Sequence, residues 1–340
     1  MAKAKQIKDE NEGYVAPLLP PEIIGHQSQQ QRLIDSFRSG KAPHAWLMTG
    51  NKGIGKRTVA QLMAAFVLDL PNSPNRLVND VMNSHMRLIE NGSHPDCSLL
   101  QVATDPKTGK QKTEISVEQV RNLKEGMYKT PSMASSRVAI IDSLDEMNRN
   151  SANAILKLLE EPPANAFLFL VCHNPGRLLP TIRSRCAQLS FNSLSELEMQ
   201  QWVQQAQTHT DFPANFNLAL KAANGRPGLA MDMLQNDLLP IEEELQAYLG
   251  SKNSSVSPQA IAAKIAKTNR DAKALLKCRL FDWMHEAART AAIQTSTEDA
   301  ALVDWQKLWE TTDQRFKQAE ALNLDERGLW TSVLLGLRQN

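Results

Sequence analysis

The sequence predicts an α/β fold: a P-loop core built on a parallel sheet, followed by two all-helical segments. Three observations lead there. Short apolar runs alternate with stretches of helical periodicity as far as residue 192, the pattern of strand-then-helix units whose strands are covered on both faces. A glycine-rich turn, "GNKGIGK", stands between one such run and a helix, which is the context a phosphate-cradling loop requires. Beyond residue 192 only helical periodicity continues.

Each element has its own signal. Residues 1–20 read as a loose leader, closed by Pro20 and Pro21, and "SQQQRLIDSFRSGK" reads as a helix ending at Gly40. "HAWLMTG" is a strand and "RTVAQLMAAFVLDL" the helix after the loop. The Pro-, Asn- and Ser-rich stretch over residues 71–97 predicts short helices and loops; "SLLQVATD" then reads as a strand, and "PKTGKQKT" as a solvated basic turn. Ser116 and Gln119 have the spacing of a capping box, as do Ser193 and Glu196. "RVAIIDS" and "AFLFLVCHN" are buried strands, and between them "NSANAILKLLEE" is an amphipathic helix stopped by Pro162 and Pro163. A glycine-proline turn in "ANGRPGLAM" separates two further helices, and "GSKNSSVSP" is the strongest linker signal. These breaks divide the chain into a core over 1–192, a helical segment over 193–249 and a C-terminal helical segment over 250–340.

The bulk numbers exclude some classes of function. Thirty-eight basic residues balance 37 acidic ones, so no global charge draws the chain onto nucleic acid or membrane. The apolar runs are too short to cross a bilayer and the first residues are polar, so a cytoplasmic protein is expected. Cys97, Cys172, Cys186 and Cys278 form no C-x-x-C pair, which predicts reduced thiols.

In the P-loop stretch, Gly50, Gly53 and Gly55 let backbone N–H groups approach phosphate oxygens and Lys56 adds a point charge. The residue after that lysine normally offers magnesium a hydroxyl. Here it is Arg57, and Thr58 comes one residue late, about 100° round the helix. Asp142 ends a strand where a metal-holding aspartate is needed, yet its neighbour is Ser143 rather than a glutamate to polarise water. Asp145 and Glu146 lie in the following turn, where a surface or capping role is expected.

"HAWLMTGNKGIGK", "IIDSLDEMNRNSANAILKLLEEPPANAFLFLVCHNPGRLLPTIRSRC" and "ANGRPGLAMDML", in that order, resemble the AAA+ clamp-loader subunits of bacterial DNA polymerase III, most like the delta prime type. The resemblance covers about residues 20–235. It implies an AAA+ core, a helical lid and a collar that joins a five-subunit ring. It makes Arg185, within "SRC", an arginine finger directed at the triphosphate of a neighbouring subunit, a task that suits a forked, permanently charged guanidinium. The bland alternative is that Arg185 salts a carboxylate of its own domain. By the same resemblance His173 takes the place of the polar residue that senses the γ-phosphate, with Asn174 beside it; the alternative is that His173 serves the strand-end carbonyls. The lid arginine of active relatives is replaced by Gly228, with Arg226 two residues earlier.

Relatives carry four zinc cysteines where this chain keeps only His85, His94 and Cys97, so no metal site is expected. With the metal hydroxyl, the glutamate and the lid arginine all missing, the expectation is a non-hydrolytic stator. ATP binding without hydrolysis stays compatible with Gly50, Gly53, Gly55, Lys56, Arg57, Thr58, Asp142 and His173. The implied partners are the gamma/tau ATPase subunits and delta, with the sliding clamp and primed DNA met through the complex. Two rival readings are an active ATPase of the gamma/tau type and an AAA+ relative that docks on DNA directly, with salt-sensitive affinity.

Overall fold

The computed structural model describes residues 22–70, 72–74, 76–78, 83–103, 112, 114–207, 212–213, 215–250, 255–294, 298–322 and 324–338. The leader, most of the basic turn and part of the linker lie outside the described residues. The chain forms two compact units, one from Val15–Phe212 with Asn224–Gly228, the other including Pro213–Ala223 and Leu229–Asn340.

In the first unit the order is α1 (Gln27–Arg38), β1 (Ala45–Thr49), α2 (Lys56–Leu68), α3 (Ser84–Glu90), β2 (Cys97–Leu100), α4 (Val117–Met127), β3 (Arg137–Asp142), α5 (Arg149–Glu160), β4 (Ala166–Cys172), the single turn α6 (Pro180–Arg183), β5 (Ala187–Ser190) and α7 (Glu196–Gln207). The strands form one parallel sheet in the order β2-β3-β4-β1-β5. Both faces are buried, as the apolar runs predict. Trp46, Met48, Ile140, Phe169 and Val171 pack against one layer, while Leu47, Ile141, Leu168, Leu170 and Cys172 pack against the other.

The register sets the site. Thr49 pairs with Cys172 and Ser190, and Asp142 pairs with Val171. The carboxyl ends of β1, β3 and β4 therefore align, and Gly50, Asp142 and His173 follow or end them at one edge of the sheet, where ligands of open α/β sheets bind.

The Ser116–Gln119 capping box forms as predicted. The second box is displaced: Ser195 and Glu198 make it, not Ser193 and Glu196. Both pairs have the right spacing, but the Leu194 N–H is bound to the Gly225 carbonyl at 2.8 Å, which holds residues 193–194 out of the helix. Nearby, a Cβ on Gly225 would stand 2.3 Å from the Leu194 carbonyl oxygen, and its φ of +75° also demands glycine.

In the second unit the helices are α8 (Phe216–Ala223), α9 (Pro227–Gln235, whose first two residues belong to the first unit), α10 (Leu239–Leu249), α11 (Pro258–Lys267), α12 (Arg270–Gln294), α13 (Glu298–Leu322) and α14 (Glu326–Arg338). One apolar cluster runs through them from Ala219 to Leu337. Among the described residues, no helix is long and apolar enough to cross a membrane.

Candidate nucleotide site and arginine finger

The P-loop has the backbone its glycines predict. Gly50, Gly53 and Gly55 lie at φ of 142°, 84° and 97°, and helix α2 begins at Lys56. The loop is packed from several sides. A Cβ on Gly50 would meet the Phe191 carbonyl oxygen at 2.3 Å. His26 places Nε2 2.9 Å from the Ile54 carbonyl, and its ring lies edge-on to Phe191. The Gly228 N–H donates to the Gly53 carbonyl at 2.8 Å.

Lys56 is 2% exposed and donates from Nζ to the carbonyls of Gly50 and Asn51, each at 2.6 Å. Burial pulls its ammonium down to about 8, against the attraction of Asp142 and Asp145. Its charge is thus turned onto its own loop.

Arg57 Nη1 lies 3.3 Å from Asp142 Oδ2 and 3.0 Å from Gln101 Oε1. A guanidinium carries five donors and no acceptor, so it satisfies a carboxylate and cannot ligate a cation. The donor set does not fit magnesium: the hydroxyl position is an arginine, and that arginine engages the one strand-end carboxylate.

Asp145 has the capping role expected of it. Its Oδ1 and Oδ2 accept the backbone N–H groups of His173 (2.9 Å) and Asn174 (3.0 Å), fixing the end of β4. His173 is driven down to about 4, first by burial and then by the Lys56 charge, so its ring is neutral at pH 7. Its Nδ1 is buried without a hydrogen-bond partner among the described residues.

Gly228 is tightly packed: a Cβ there would stand 3.0 Å from Gly53 Cα and O, so the loop backbone would have to give by a few tenths of an ångström. Arg226, two residues earlier, is buried at 2% exposure.

Arg185 lies just past α6, between the buried Ile182 and Cys186. Its Nη2 pairs with Glu160 Oε1 at 2.7 Å, and Nη1 donates to the Thr181 carbonyl at 2.9 Å. The guanidinium thus meets a carboxylate of its own unit in the isolated chain. Glu160 had a visible signal, the helix end "LLEEPP", but nothing local joins it to Arg185.

Of the three candidate zinc residues, His94 is fully engaged. His85 Nδ1 and His94 Nε2 are 2.8 Å apart, and His94 Nδ1 accepts the Asp96 N–H at 3.0 Å, so both ring nitrogens of His94 are used. Burial pushes the Cys97, Cys172 and Cys186 thiols up to about 12, and none of the four cysteines forms a disulfide.

The family model described as DNA polymerase III, delta subunit, matches residues 25–195, half of the chain. This chain belongs to that family. The delta' subunit of Pseudomonas aeruginosa is 29% identical over 301 residues, spanning 87% of both chains. The delta' subunit of Escherichia coli K12 is 27% identical over 63% of this chain and 61% of its own. A gamma subunit of Buchnera aphidicola is 33% identical over 51% of this chain but only 45% of its own length. A DNA polymerase III gamma subunit-related protein of Thermotoga maritima aligns over 90% of this chain and 99% of its own, at 17% identity and a TM-score of 0.45. The fold described, a P-loop followed by a helix on a five-stranded parallel sheet, is the α/β core that the sequence predicts.

Proposed function

We propose that this chain is a delta prime-like stator of the DNA polymerase III clamp loader, acting in the cytoplasm. It does not hydrolyse ATP, and it presents Arg185 to the triphosphate held by the adjacent gamma/tau ATPase subunit. Delta, the sliding clamp and primed DNA are its further partners through the complex. The core over 1–192 carries the finger, the segment over 193–249 acts as lid, and the segment over 250–340 as the collar that joins the ring.

The observation that carries the non-hydrolytic half is the contact between Arg57 and Asp142. It sets a fixed cation against the carboxylate that hydrolysis would need for a metal. Two further contacts support it: the Gly53 carbonyl and the Lys56 ammonium are both bonded within the protein. The "SRC" position of Arg185, 35% exposed on a short rigid segment, supports the finger.

Reconstitution with the ATPase subunits tests the reading. DNA-stimulated hydrolysis is expected to fall on Arg185→Ala and to be unaffected by Lys56→Ala. The gamma and tau matches favour a second reading, an active ATPase. Steady-state ATP turnover by the isolated chain, abolished by Lys56→Ala, would establish that alternative in its place.

A further inference from the structure

Glu160 is the last residue of α5, fixed in place by the buried Leu158 and Leu159 before it and by the proline stop that follows. Arg185 is pinned through its backbone. Its N–H is bonded to the Ile182 carbonyl at 3.1 Å, and Ile182 and Cys186 are buried on either side. What remains free is the long side chain, with four rotatable bonds and large rotamer entropy. Its far end is held at three points: Glu160 Oε1 at 2.7 Å, the Thr181 carbonyl at 2.9 Å and the Ser184 hydroxyl at 3.4 Å. Thr181 and Ser184 belong to the same short turn as Arg185 and move with it. Glu160 alone ties the guanidinium to a different element, the carboxyl end of a twelve-residue helix whose dipole also favours a cation there.

We infer that Glu160 is the positioning residue of Arg185: it fixes the guanidinium at the end of α5, so that its remaining donors are presented in one orientation. Nη1 is spent on the turn and Nη2 keeps a second hydrogen. Nε has no hydrogen-bond partner among the described residues. The pair is 35% and 46% exposed, so it is weak enough to share the cation with an incoming phosphate and still narrow where the cation sits. This rests on Arg185 acting in trans as proposed above.

The test uses the complex reconstituted with its ATPase subunits and four forms of this chain: wild type, Glu160→Ala, Arg185→Ala and the double variant. We expect Glu160→Ala to lower kcat about two- to fivefold with KM for ATP unchanged, as befits an exposed pair. No further loss is expected in the Arg185→Ala background. Glu160→Gln, which keeps an acceptor oxygen and the helix end intact, should lie between, and it serves as the second variant if Glu160→Ala lowers the thermal midpoint of the isolated chain. A wild-type or faster rate for both Glu160 variants, or an equal loss with and without Arg185, would overturn the inference. If Arg185→Ala itself leaves turnover unchanged, the finger reading fails and this inference with it. If Arg185→Ala slows turnover and the Glu160 variants do not, only the role of Glu160 fails.

Discussion

The guanidinium of Arg57 and the carboxylate of Asp142 stand 3.3 Å apart, joining the first turn of α2 to the carboxyl end of β3. Asp142 is only 15% exposed in its side chain, whereas Arg57 is 44% exposed. Arg57→Thr would restore the hydroxyl but leave Asp142 without this cation. We expect a loss of about 0.5 to 1 kcal/mol in urea unfolding and still no ATP turnover, because Ser143 supplies no general base.

Gly228 and Gly53 approach through their backbones, so a side chain at position 228 would press on the P-loop. Gly228→Ala should destabilise the protein by about 1 to 3 kcal/mol, the cost of overpacking against a backbone that must shift. Gly40→Ala is the comparison: nothing lies within 4 Å, and only its φ of +69° resists a side chain. Gly40→Ala should cost about 1 kcal/mol, and equal denaturant midpoints for the two variants would mean that the Gly228 contact is loose.

Asp96 is 1% exposed and accepts the N–H groups of Ser132, Met133 and Ala134 at 2.7, 2.6 and 3.0 Å, with Arg137 Nη2 at 3.4 Å. Burial alone would raise its pKa, but those donors outweigh it, and the carboxyl titrates below the ordinary range. Its contribution is present above the unfolded pKa and is lost as pH falls through the folded one. Asp96→Ala leaves three amides without their acceptor and removes the carboxylate beside Arg137, which keeps its bonds to the Lys129, Pro95 and Thr130 carbonyls; we expect about 3 to 5 kcal/mol of destabilisation by calorimetry at pH 7.

His173 also loses stability as pH falls, but by a different cause, the burial of a base. Its folded pKa of about 4 lies below the unfolded value near 6.5, so the unfolded chain binds the extra proton between them. Stability from this group is intact above about pH 6.5 and declines to a plateau below about pH 4, by up to about 3 kcal/mol. Unfolding free energies of His173→Gln, measured between pH 4 and 7, should fall less steeply than those of the wild type. His26 and His94 are also lowered, so part of the slope will persist.

The parts of the site carried by consecutive residues were legible in the sequence. The three glycines and Lys56 specify their loop because the turn needs positive φ and the helix begins at once. Asp142 reads as a strand end because the apolar run stops there, whereas the partners of Asp145, the His173 and Asn174 N–H groups, are set by β3 lying beside β4 and are not read from the turn itself. What was not legible depends on sheet order and on long-range contacts within the first unit. Gly53 and Gly228 meet across 175 positions, and Glu160 and Arg185 meet because α5 ends beside the turn after β4. The Ser193 capping box failed for the same reason: the Gly225 carbonyl claims the Leu194 N–H, and the helix starts two residues later.

The trans role proposed for Arg185 is tested most directly by single-turnover ATP hydrolysis at the neighbouring subunit's site in the reconstituted complex, comparing wild type, Arg185→Lys and Arg185→Ala. We expect the chemical step at that site to slow by about 10³-fold or more on Arg185→Ala, with Arg185→Lys recovering little because an ammonium lacks the fork. Hydrolysis at the wild-type rate in the Arg185→Ala complex would contradict it, and would leave the pair with Glu160 as a local salt bridge.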